Sequence, residues 1–304
     1  MIARTRLRAP AKINLGLRIV GRRPDGYHEL ESLFAVLDLA DELELEVERA
    51  DAPSVALRLE SPDSGAPADT SNLAPADASN LAARAAELFL AETGLALRVA
   101  IALRKQTPVA AGLGGGSSDA ATVLRALAAF APDALAPDRL AKLALRLGAD
   151  VPFFLDPRAA FVRGIGERIE PVRGLPELPL VLANPGEPLA TREVFRVYDV
   201  LHPDAARTAA PIGAVPDFTR LHGDPSAWSA WLHNDLEPAA LRLCPAIGRL
   251  RSELTARGAR AVGLSGSGPT LFGIFESHAA ARAAAAAPLR SPAWLRVATA
   301  RESG

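Results

Sequence analysis

The residue types most able to do chemistry gather in one short segment rich in glycine and serine. It comprises Pro108, Val109, Ala110, Ala111, Gly112, Leu113, Gly114, Gly115, Gly116, Ser117 and Ser118. Glycines let the backbone approach a ligand closely, and a helix that begins here presents unpaired N–H groups and the positive end of its dipole. Such a segment binds phosphate. The plainer explanation is a tight turn in which one serine caps the helix.

Two common nucleotide-binding motifs do not fit this segment. It lacks the lysine and adjoining serine or threonine of a P-loop. Ser117 also stands where the dinucleotide-binding fingerprint needs its last glycine. A dinucleotide-binding Rossmann domain is therefore not expected.

A second group of polar residues comprises Lys12 and Asn14 near the amino terminus and Asp150 in the middle of the chain. Residues alternate between apolar and polar from Thr5 to Ile19, which predicts a half-buried strand with Lys12 and Asn14 on its polar face. Phosphoryl transfer needs a proton acceptor, a cation against the phosphoryl charge and a donor that orients the substrate. Taken separately, a lysine on a strand is usually solvated, and an aspartate after a helix usually closes a turn.

Two weaker signals lie elsewhere in the chain. The glycine-serine stretch 264–270 predicts a hairpin turn with weak anion-binding potential. Tyr27 and His28 follow an earlier turn, and Thr191 and Phe195 lie four residues apart on one predicted helix face. Aromatic rings can sandwich a nucleobase, although a phenylalanine in a helix more often belongs to the core.

The elements that must position these residues alternate between strands and helices. The N-terminal part is rich in predicted strands, with helices over 80–93, 117–130 and 138–147. The C-terminal part resembles a small α+β sandwich with helices on one face. Its predicted elements are helices over 191–199, 237–243 and 245–256, an alanine-rich helix near 279–287, and strands over 260–264, 270–275 and 295–299. We expect two domains, 1–160 and 161–304.

Length and composition bound the class of protein. A chain of 304 residues is long enough for two domains or one large one. Hydrophobic residues make up 49% and the formal net charge is -1, which argues against a disordered chain and against a basic nucleic-acid-binding surface. The one cysteine, Cys244, excludes an intramolecular disulfide framework and a zinc cage of clustered thiolates. No signal-peptide pattern and no apolar run of about 20 residues occur, so we expect a cytoplasmic location.

The three groups of residues described above occur in the order and at the approximate separations of the GHMP kinase superfamily, whose members phosphorylate small hydroxyl or carboxyl substrates from ATP. They are residues 108–119, Lys12 and Asn14 with Asp150, and residues 264–270. A narrower resemblance, to the members that act on a diphosphocytidyl substrate, is carried by residues 10–15 with 24–29, residues 112–121, and residues 148–154. The resemblance covers 8–299 and is weakest over 199–231. It implies a two-domain α+β GHMP kinase fold, with a ribosomal protein S5-like N-terminal domain, a ferredoxin-like C-terminal domain and the active site in the cleft between them. Val109, Ala110 and Ala111 stand where relatives often have methionine and glycine, which predicts a stiffer loop edge.

The resemblance also implies roles for the matching positions. Lys12 and Asp150 would be the catalytic pair, residues 108–118 the ATP phosphate loop, and Asn14 a substrate contact. The residues matching positions around the cytosine and ribose of a diphosphocytidyl substrate are Tyr27, His28, Thr191 and Phe195. ATP and Mg²⁺ are the implied cofactors, and Ser118 is a candidate magnesium ligand from its place at the helix start. The expected binding partner is the diphosphocytidyl substrate, a small molecule, and neither nucleic acid nor a membrane is expected to bind. The protein would be a monomer or weak homodimer.

Three other functions stay open at this point. Another GHMP kinase, such as a homoserine or mevalonate kinase, would share the loop but not a pyrimidine pocket; Tyr27, His28 and Phe195 count against it. A non-catalytic nucleotide-binding or sensor module would have lost turnover, and the presence of Lys12 and Asp150 counts against that. A nucleic-acid-binding protein is suggested only by the S5-like first domain, and the near-neutral charge counts against it.

Overall fold

The computed structural model describes residues 2–60, 75, 77, 79–203, 231–286 and 294–303. Contacts between residues divide the chain into two compact units. The first unit comprises residues 1–11, 39–109 and 114–157, and the second comprises residues 12–38, 110–113 and 158–304. The domains 1–160 and 161–304 remain a sequence-based prediction. Most of the stretch over 199–231, where the family resemblance is weakest, lies outside the described residues.

Two long strands contribute residues to both units. They are β1 (Ile2–Arg22) and β2 (His28–Arg49), and the turn between them passes through Gly26, whose φ of 91° favours glycine. The strand predicted from Thr5 to Ile19 is therefore confirmed. The prediction that it is half-buried is wrong, because every residue from Lys12 to Leu17 is buried. Its polar side chains must consequently find hydrogen-bond partners inside the protein.

The first unit combines a small sheet with three helices. Its own elements are β3 (Ser54–Glu60), α1 (Leu81–Thr93), β4 (Leu97–Arg104), α2 (Gly115–Phe130), α3 (Pro137–Leu147) and a short 3₁₀-helix (Pro152–Leu155). β3 pairs parallel with β4, and α1 makes the crossover that a parallel pair requires. β4 in turn pairs antiparallel with residues 42–49 of β2.

Local sequence signals explain where α1 begins and ends. Asn80 is its N-cap, and the Asn80 side chain accepts a hydrogen bond from the Ala82 N–H at 2.9 Å. The helix ends at Gly94, which has a φ of 68° in the left-handed region. The helix predicted over 80–93 is thereby confirmed.

The second unit is a largely antiparallel sheet with helices. Its own elements are β5 (Ala160–Gly164), β6 (Arg168–Pro171), β7 (Leu178–Asn184), α4 (Thr191–Leu201), α5 (Glu237–Leu243), α6 (Ala246–Ala256), β8 (Ala261–Leu264), β9 (Leu271–Ile274), α7 (His278–Ala286) and β10 (Trp294–Arg301). The strand order is β2-β10-β7-β9-β8, while β5 pairs with β2 and β6 pairs with β5. These bounds confirm the predicted C-terminal helices and strands to within two residues.

The core of the second unit joins one face of β7 to the helices. Val181 and Ala183, two residues apart on β7, share an apolar cluster with Val194 of α4 and Ile247 of α6. Cys244 is buried in the same cluster, as expected of a small apolar residue. No helix in the described part of the chain is both long and apolar enough to cross a membrane.

Candidate active site

The glycine-serine segment ends in the first turn of α2. This helix begins at Gly115, two residues before the predicted start, and its N-cap is Gly114 with a φ of 71° and no side-chain hydrogen bond. The alternative in which a serine caps the helix is therefore wrong. The first intrahelical bond runs from the Ser118 N–H to the Gly114 carbonyl at 2.9 Å. The three preceding N–H groups have no acceptor within the helix, which is the arrangement that binds phosphate.

Close packing inside the protein explains why one residue of this segment, Gly115, is a glycine. A Cβ on Gly115 would lie 2.2 Å from Thr107 Oγ1, so no larger residue fits at this helix start. Ala110 has a φ of 52°, in the left-handed region that costs an alanine about 1–2 kcal/mol. A non-glycine residue thus holds a strained conformation at the edge of the segment.

Lys12 is buried and firmly held within the second unit. Its Nζ donates to Asn14 Oδ1 at 2.6 Å and to the Gly112 carbonyl at 3.2 Å, and it lies 4.7 Å from the centre of the Phe34 ring. Only 3% of Lys12 is exposed. The structure therefore brings Lys12, Asn14 and the middle of the glycine-serine segment together, and contradicts the alternative of a solvated lysine.

The Asn14 side chain is fixed at both of its ends. Its Nδ2 donates to Ser32 Oγ at 2.8 Å, and Ser32 Oγ donates to the Gly16 carbonyl at 2.5 Å. With its amide nitrogen bound to Ser32, Asn14 turns its oxygen towards the Lys12 ammonium. Ser32 is a positioning residue that no sequence motif indicated.

The second glycine-serine turn, between β8 and β9, packs on the first segment. Ser265 Oγ donates to the Gly112 carbonyl at 2.9 Å, and Ser265 is completely buried. Asn234 Nδ2 fixes the turn by donating to the carbonyls of Leu264 and Gly266 at 2.9 and 2.8 Å. The predicted hairpin is present, but its role within the second unit is to support Gly112. Neither Asn234 nor Ser265 was assigned this role from sequence.

A buried group of three charges supports the start of α2 within the first unit. Lys105 Nζ forms ion pairs with Asp41 and, at 2.6 Å, with Asp119 of α2. Asp41 also accepts hydrogen bonds from the Thr107 N–H at 2.8 Å and from Thr107 Oγ1 at 2.6 Å. Since Thr107 is also the residue against Gly115, these charges connect the end of β4 to the first turn of α2.

Burial and neighbouring charge shape the protonation of this group. Burial raises the pKa of Asp119 to about 7, although the Lys105 ammonium acts in the opposite direction. The two nearby carboxylates raise the pKa of Lys105 despite its burial. Asp119 Oδ1 has no hydrogen-bond partner among the described residues, which is consistent with a poorly solvated carboxyl group.

One further buried polar atom without a hydrogen-bond partner is a candidate magnesium ligand. Ser118 Oγ is buried in the first turn of α2 and has no hydrogen-bond partner in the described part of the chain. In phosphoryl-transfer sites Mg²⁺ keeps several waters and binds substrate phosphates, and a serine or threonine hydroxyl at the start of a phosphate-binding helix can supply one further oxygen. The residues described here contain no group of three or more histidine, cysteine, aspartate or glutamate side chains that could hold a metal by themselves.

Asp150 lies in the turn between α3 and the short 3₁₀-helix, where it is half-buried. It belongs to the first unit, whereas Lys12 belongs to the second. The pairing of these two residues in catalysis remains a prediction.

The residues expected around a pyrimidine fall into two contacts within the second unit. His28 stacks on Phe195 of α4, with ring centres 4.8 Å apart and planes 25° apart. Thr191 Oγ1, at the start of the same helix, lies 3.0 Å from Ser267 Oγ. Tyr27 is 61% exposed, and no ring stacks on it among the described residues. His28 itself therefore covers one face of Phe195.

Two known protein families match this chain, and each match contains one of the two glycine-serine segments. The GHMP kinases N terminal domain family matches residues 80–156, which contain the glycine-serine segment 108–118 and Asp150. The GHMP kinases C terminal family matches residues 214–291, which contain the second glycine-serine turn. The fold is that of a GHMP kinase.

Individual relatives narrow the class further. A 4-diphosphocytidyl-2-C-methyl-D-erythritol kinase of Methylorubrum extorquens is 46% identical over 94% of this chain and 95% of its own, and one of Citrifermentans bemidjiense is 38% identical over 95% of both. The chain belongs to the 4-diphosphocytidyl-2-C-methyl-D-erythritol kinase family. A crystal structure of a 4-(cytidine 5'-diphospho)-2C-methyl-D-erythritol kinase matches 99% of this chain and 100% of its own with a TM-score of 0.77 and 38% identity. A homoserine kinase of Cytophaga hutchinsonii, at 18% identity and a TM-score of 0.67, shares the fold alone.

Proposed function

We propose that this protein phosphorylates the 2-hydroxyl group of 4-diphosphocytidyl-2-C-methyl-D-erythritol with ATP, giving the 2-phosphate and ADP in the non-mevalonate isoprenoid pathway. The observation that carries the proposal is the identity of 38–46% over nearly the whole chain with kinases of that name. The buried contacts of Lys12 with Asn14 and with the Gly112 carbonyl of the glycine-serine segment support the proposal.

The first turn of α2 binds the ATP phosphates. Its unpaired N–H groups and the positive end of the helix dipole attract the phosphate oxygens. Ser118 would hold Mg²⁺, which neutralises phosphate charge when bound. The ion pairs of Lys105 with Asp41 and with Asp119 hold this turn against the end of β4.

Lys12 and Asp150 perform the transfer. Asp150 accepts or orients the proton of the attacking hydroxyl group, and the Lys12 ammonium offsets the charge that spreads over the phosphoryl oxygens. Asn14 and the Gly112 carbonyl hold that ammonium at 2.6 and 3.2 Å, so Lys12 does not have to be ordered during the reaction. Asn14 also contacts the substrate.

Tyr27, His28, Thr191 and Phe195 form the pocket for the cytosine and ribose. His28 and Phe195 already stack on each other at 4.8 Å, which gives the pocket a preformed aromatic wall. The protein works in the cytoplasm on this small molecule, as a monomer or weak homodimer, without nucleic acid or membrane.

A coupled ADP-release assay with Mg-ATP tests the proposal. It compares the full substrate with the methylerythritol phosphate that lacks the cytidyl group, with homoserine and with mevalonate. We expect turnover only of the cytidyl compound. Turnover of another alcohol would keep the kinase but reject the pocket, and ATP binding without any turnover would support a non-catalytic nucleotide-binding module.

A further inference from the structure

Asp199, near the end of α4, makes the closest polar contact of His28. His28 Nε2 lies 2.7 Å from Asp199 Oδ1, although the two residues are 171 positions apart in sequence. The other Asp199 oxygen, Oδ2, lies 3.5 Å from an Arg22 guanidinium nitrogen. Asp199 therefore connects an arginine at the end of β1 to the histidine at the start of β2.

The histidine ring is confined as well as hydrogen-bonded. Phe195 stacks on it at 4.8 Å, and the Tyr198 ring meets it edge-on at 5.9 Å. Only 9% of the His28 side chain is exposed. Both rings and Asp199 come from the same helix, α4, so one element fixes the plane of the imidazole and its polar partner together.

A carboxylate at Nε2 determines which tautomer a neutral imidazole adopts. A carboxylate accepts hydrogen bonds only, so Nε2 must carry the proton, and Nδ1 is then an acceptor. No hydrogen bond to His28 Nδ1 is formed by the residues that the structure describes. This nitrogen can therefore accept a hydrogen bond from a ligand.

We propose that Asp199 is a positioning residue that fixes the tautomer of His28 and thereby makes the pocket selective for a pyrimidine with an exocyclic amino group. This proposal rests on the proposed function for the presence of a pyrimidine beside His28. Cytosine offers an amino donor to Nδ1. Uracil offers a carbonyl oxygen at the same ring position, and two acceptors facing each other leave both unpaired.

The Arg22 guanidinium, 3.5 Å from Asp199 Oδ2, favours one orientation of the side-chain amide in an Asp199→Asn variant. Arginine has donors only, so it binds the oxygen of the new amide. The amide nitrogen then faces His28 Nε2 and donates to it, which moves the imidazole proton to Nδ1. The pocket would present a donor in place of an acceptor, and the preference would shift from cytosine towards uracil.

Binding measurements with free nucleotides test this without depending on turnover. Dissociation constants for cytidine 5'-diphosphate and uridine 5'-diphosphate are measured by calorimetry at about pH 8, above the range in which free histidine titrates near pH 6.5. We expect wild type to prefer the cytidine compound by about 10- to 100-fold, the cost of one unpaired buried polar group. Asp199→Asn should bring the ratio to about one or invert it, because uridine binding strengthens. Unchanged selectivity in Asp199→Asn, or no preference in wild type, would overturn the proposal.

A matched control and a spectroscopic measurement separate this role from a structural one. Glu193→Gln makes the same chemical change on the exposed face of α4, where Glu193 pairs with Arg196, and should leave the ratio unaltered. The ¹⁵N shifts of labelled histidine report the tautomer directly, and His28→Gln assigns the signal among five histidines. Wild type should carry the proton on Nε2 and Asp199→Asn on Nδ1; the same tautomer in both would reject the proposal even if neither variant bound nucleotide. If the two tautomers are as expected but wild type does not phosphorylate the cytidyl substrate, only the proposed function is rejected.

Discussion

Gly112 and Ser265 are in direct contact within the second unit, although they belong to the two separate glycine-serine segments. Ser265 Oγ donates to the Gly112 carbonyl at 2.9 Å, and the Ser265 carbonyl oxygen lies only 2.1 Å from where a Cβ on Gly112 would stand. The same Gly112 carbonyl accepts from Lys12 Nζ at 3.2 Å. The position of the lysine ammonium thus depends on the C-terminal turn.

Gly112→Ala should damage activity more than stability. Gly112 has a φ of 77°, and the added methyl group would meet a backbone carbonyl that cannot move cheaply. We expect kcat/KM to fall at least about 100-fold, since misplacing groups by about 1 Å has that effect. Gly258→Ala is the control, because its φ of 91° gives similar strain with nothing within 4 Å; it should lower the melting temperature slightly and leave kcat/KM intact. Equal kcat/KM in both variants would show that the close approach of Gly112 to Ser265 does not position the site.

Ser265→Ala removes one hydrogen bond from the Gly112 carbonyl while the Lys12 contact remains. A lost buried hydrogen bond costs about 1–2 kcal/mol, so kcat/KM should fall by about 10-fold. Ser252 offers a matched control, because its Oγ also donates to a carbonyl, that of Gly248 at 3.1 Å, but it is exposed on α6. Steady-state kinetics of Ser265→Ala and Ser252→Ala should therefore differ, and identical values would show that the Ser265 contact does not position the site.

Lys105→Met should strongly destabilise the protein. It leaves Asp41 and Asp119 buried without their cation, a change that costs about 3–5 kcal/mol. Urea unfolding measures this loss. Lys142→Met, on the exposed side of α3, should change the free energy of unfolding by less than about 0.5 kcal/mol. A small loss in Lys105→Met would mean that the three charges do not stabilise the start of α2.

Asp119 makes stability depend on pH. Its pKa is raised to about 7 in the folded protein, above the ordinary value of 3.8, so the folded state retains a proton that the unfolded state releases. The stabilising effect of this proton is complete below about pH 4 and disappears as pH rises through about 7. Relative to Asp119→Asn, wild type should therefore lose roughly 1–4 kcal/mol of unfolding free energy between pH 5 and 8. Parallel pH profiles for the two proteins would contradict the raised pKa.

Asp150→Ala tests the chemical step. We expect kcat to fall about 10²- to 10⁴-fold, the usual range for a general base, with a much smaller change in the KM for ATP. Asp133→Ala, an exposed aspartate in the same unit, should behave as wild type. A variant at position 150 that retained most of its turnover would remove Asp150 from the mechanism.

Local signals made most helices predictable from sequence, as the cap at Asn80 and the left-handed Gly94 illustrate. The sequence predicts a start of α2 that is two residues too late, because glycines are poor helix formers and the packing of Gly115 against Thr107 is not visible in sequence. The alternation in β1 continues through residue 11, so it gave no sign that the strand serves both units.

The sequence predicts which residue types form the candidate site, but it does not predict which distant residues contact them. Lys12 and Asn14 were placed on one strand face, yet the residues that bury that face, Ser32 and Ser265, stand 18 and 251 positions from Asn14. Asp199 gave no signal of its own, because an aspartate near a helix end is ordinary until His28 is found beside it. Long-range pairs of this kind require the fold.

The chemical structure of the reaction product tests most directly whether this protein phosphorylates the 2-hydroxyl group. Purified protein is incubated with Mg-ATP and 4-diphosphocytidyl-2-C-methyl-D-erythritol, and the mixture is followed by ³¹P NMR and mass spectrometry. We expect one new phosphate monoester on the 2-hydroxyl group for each ADP formed, with the diphosphate bridge intact. ADP formed without that monoester, or a phosphate on another hydroxyl group, would contradict the proposed function.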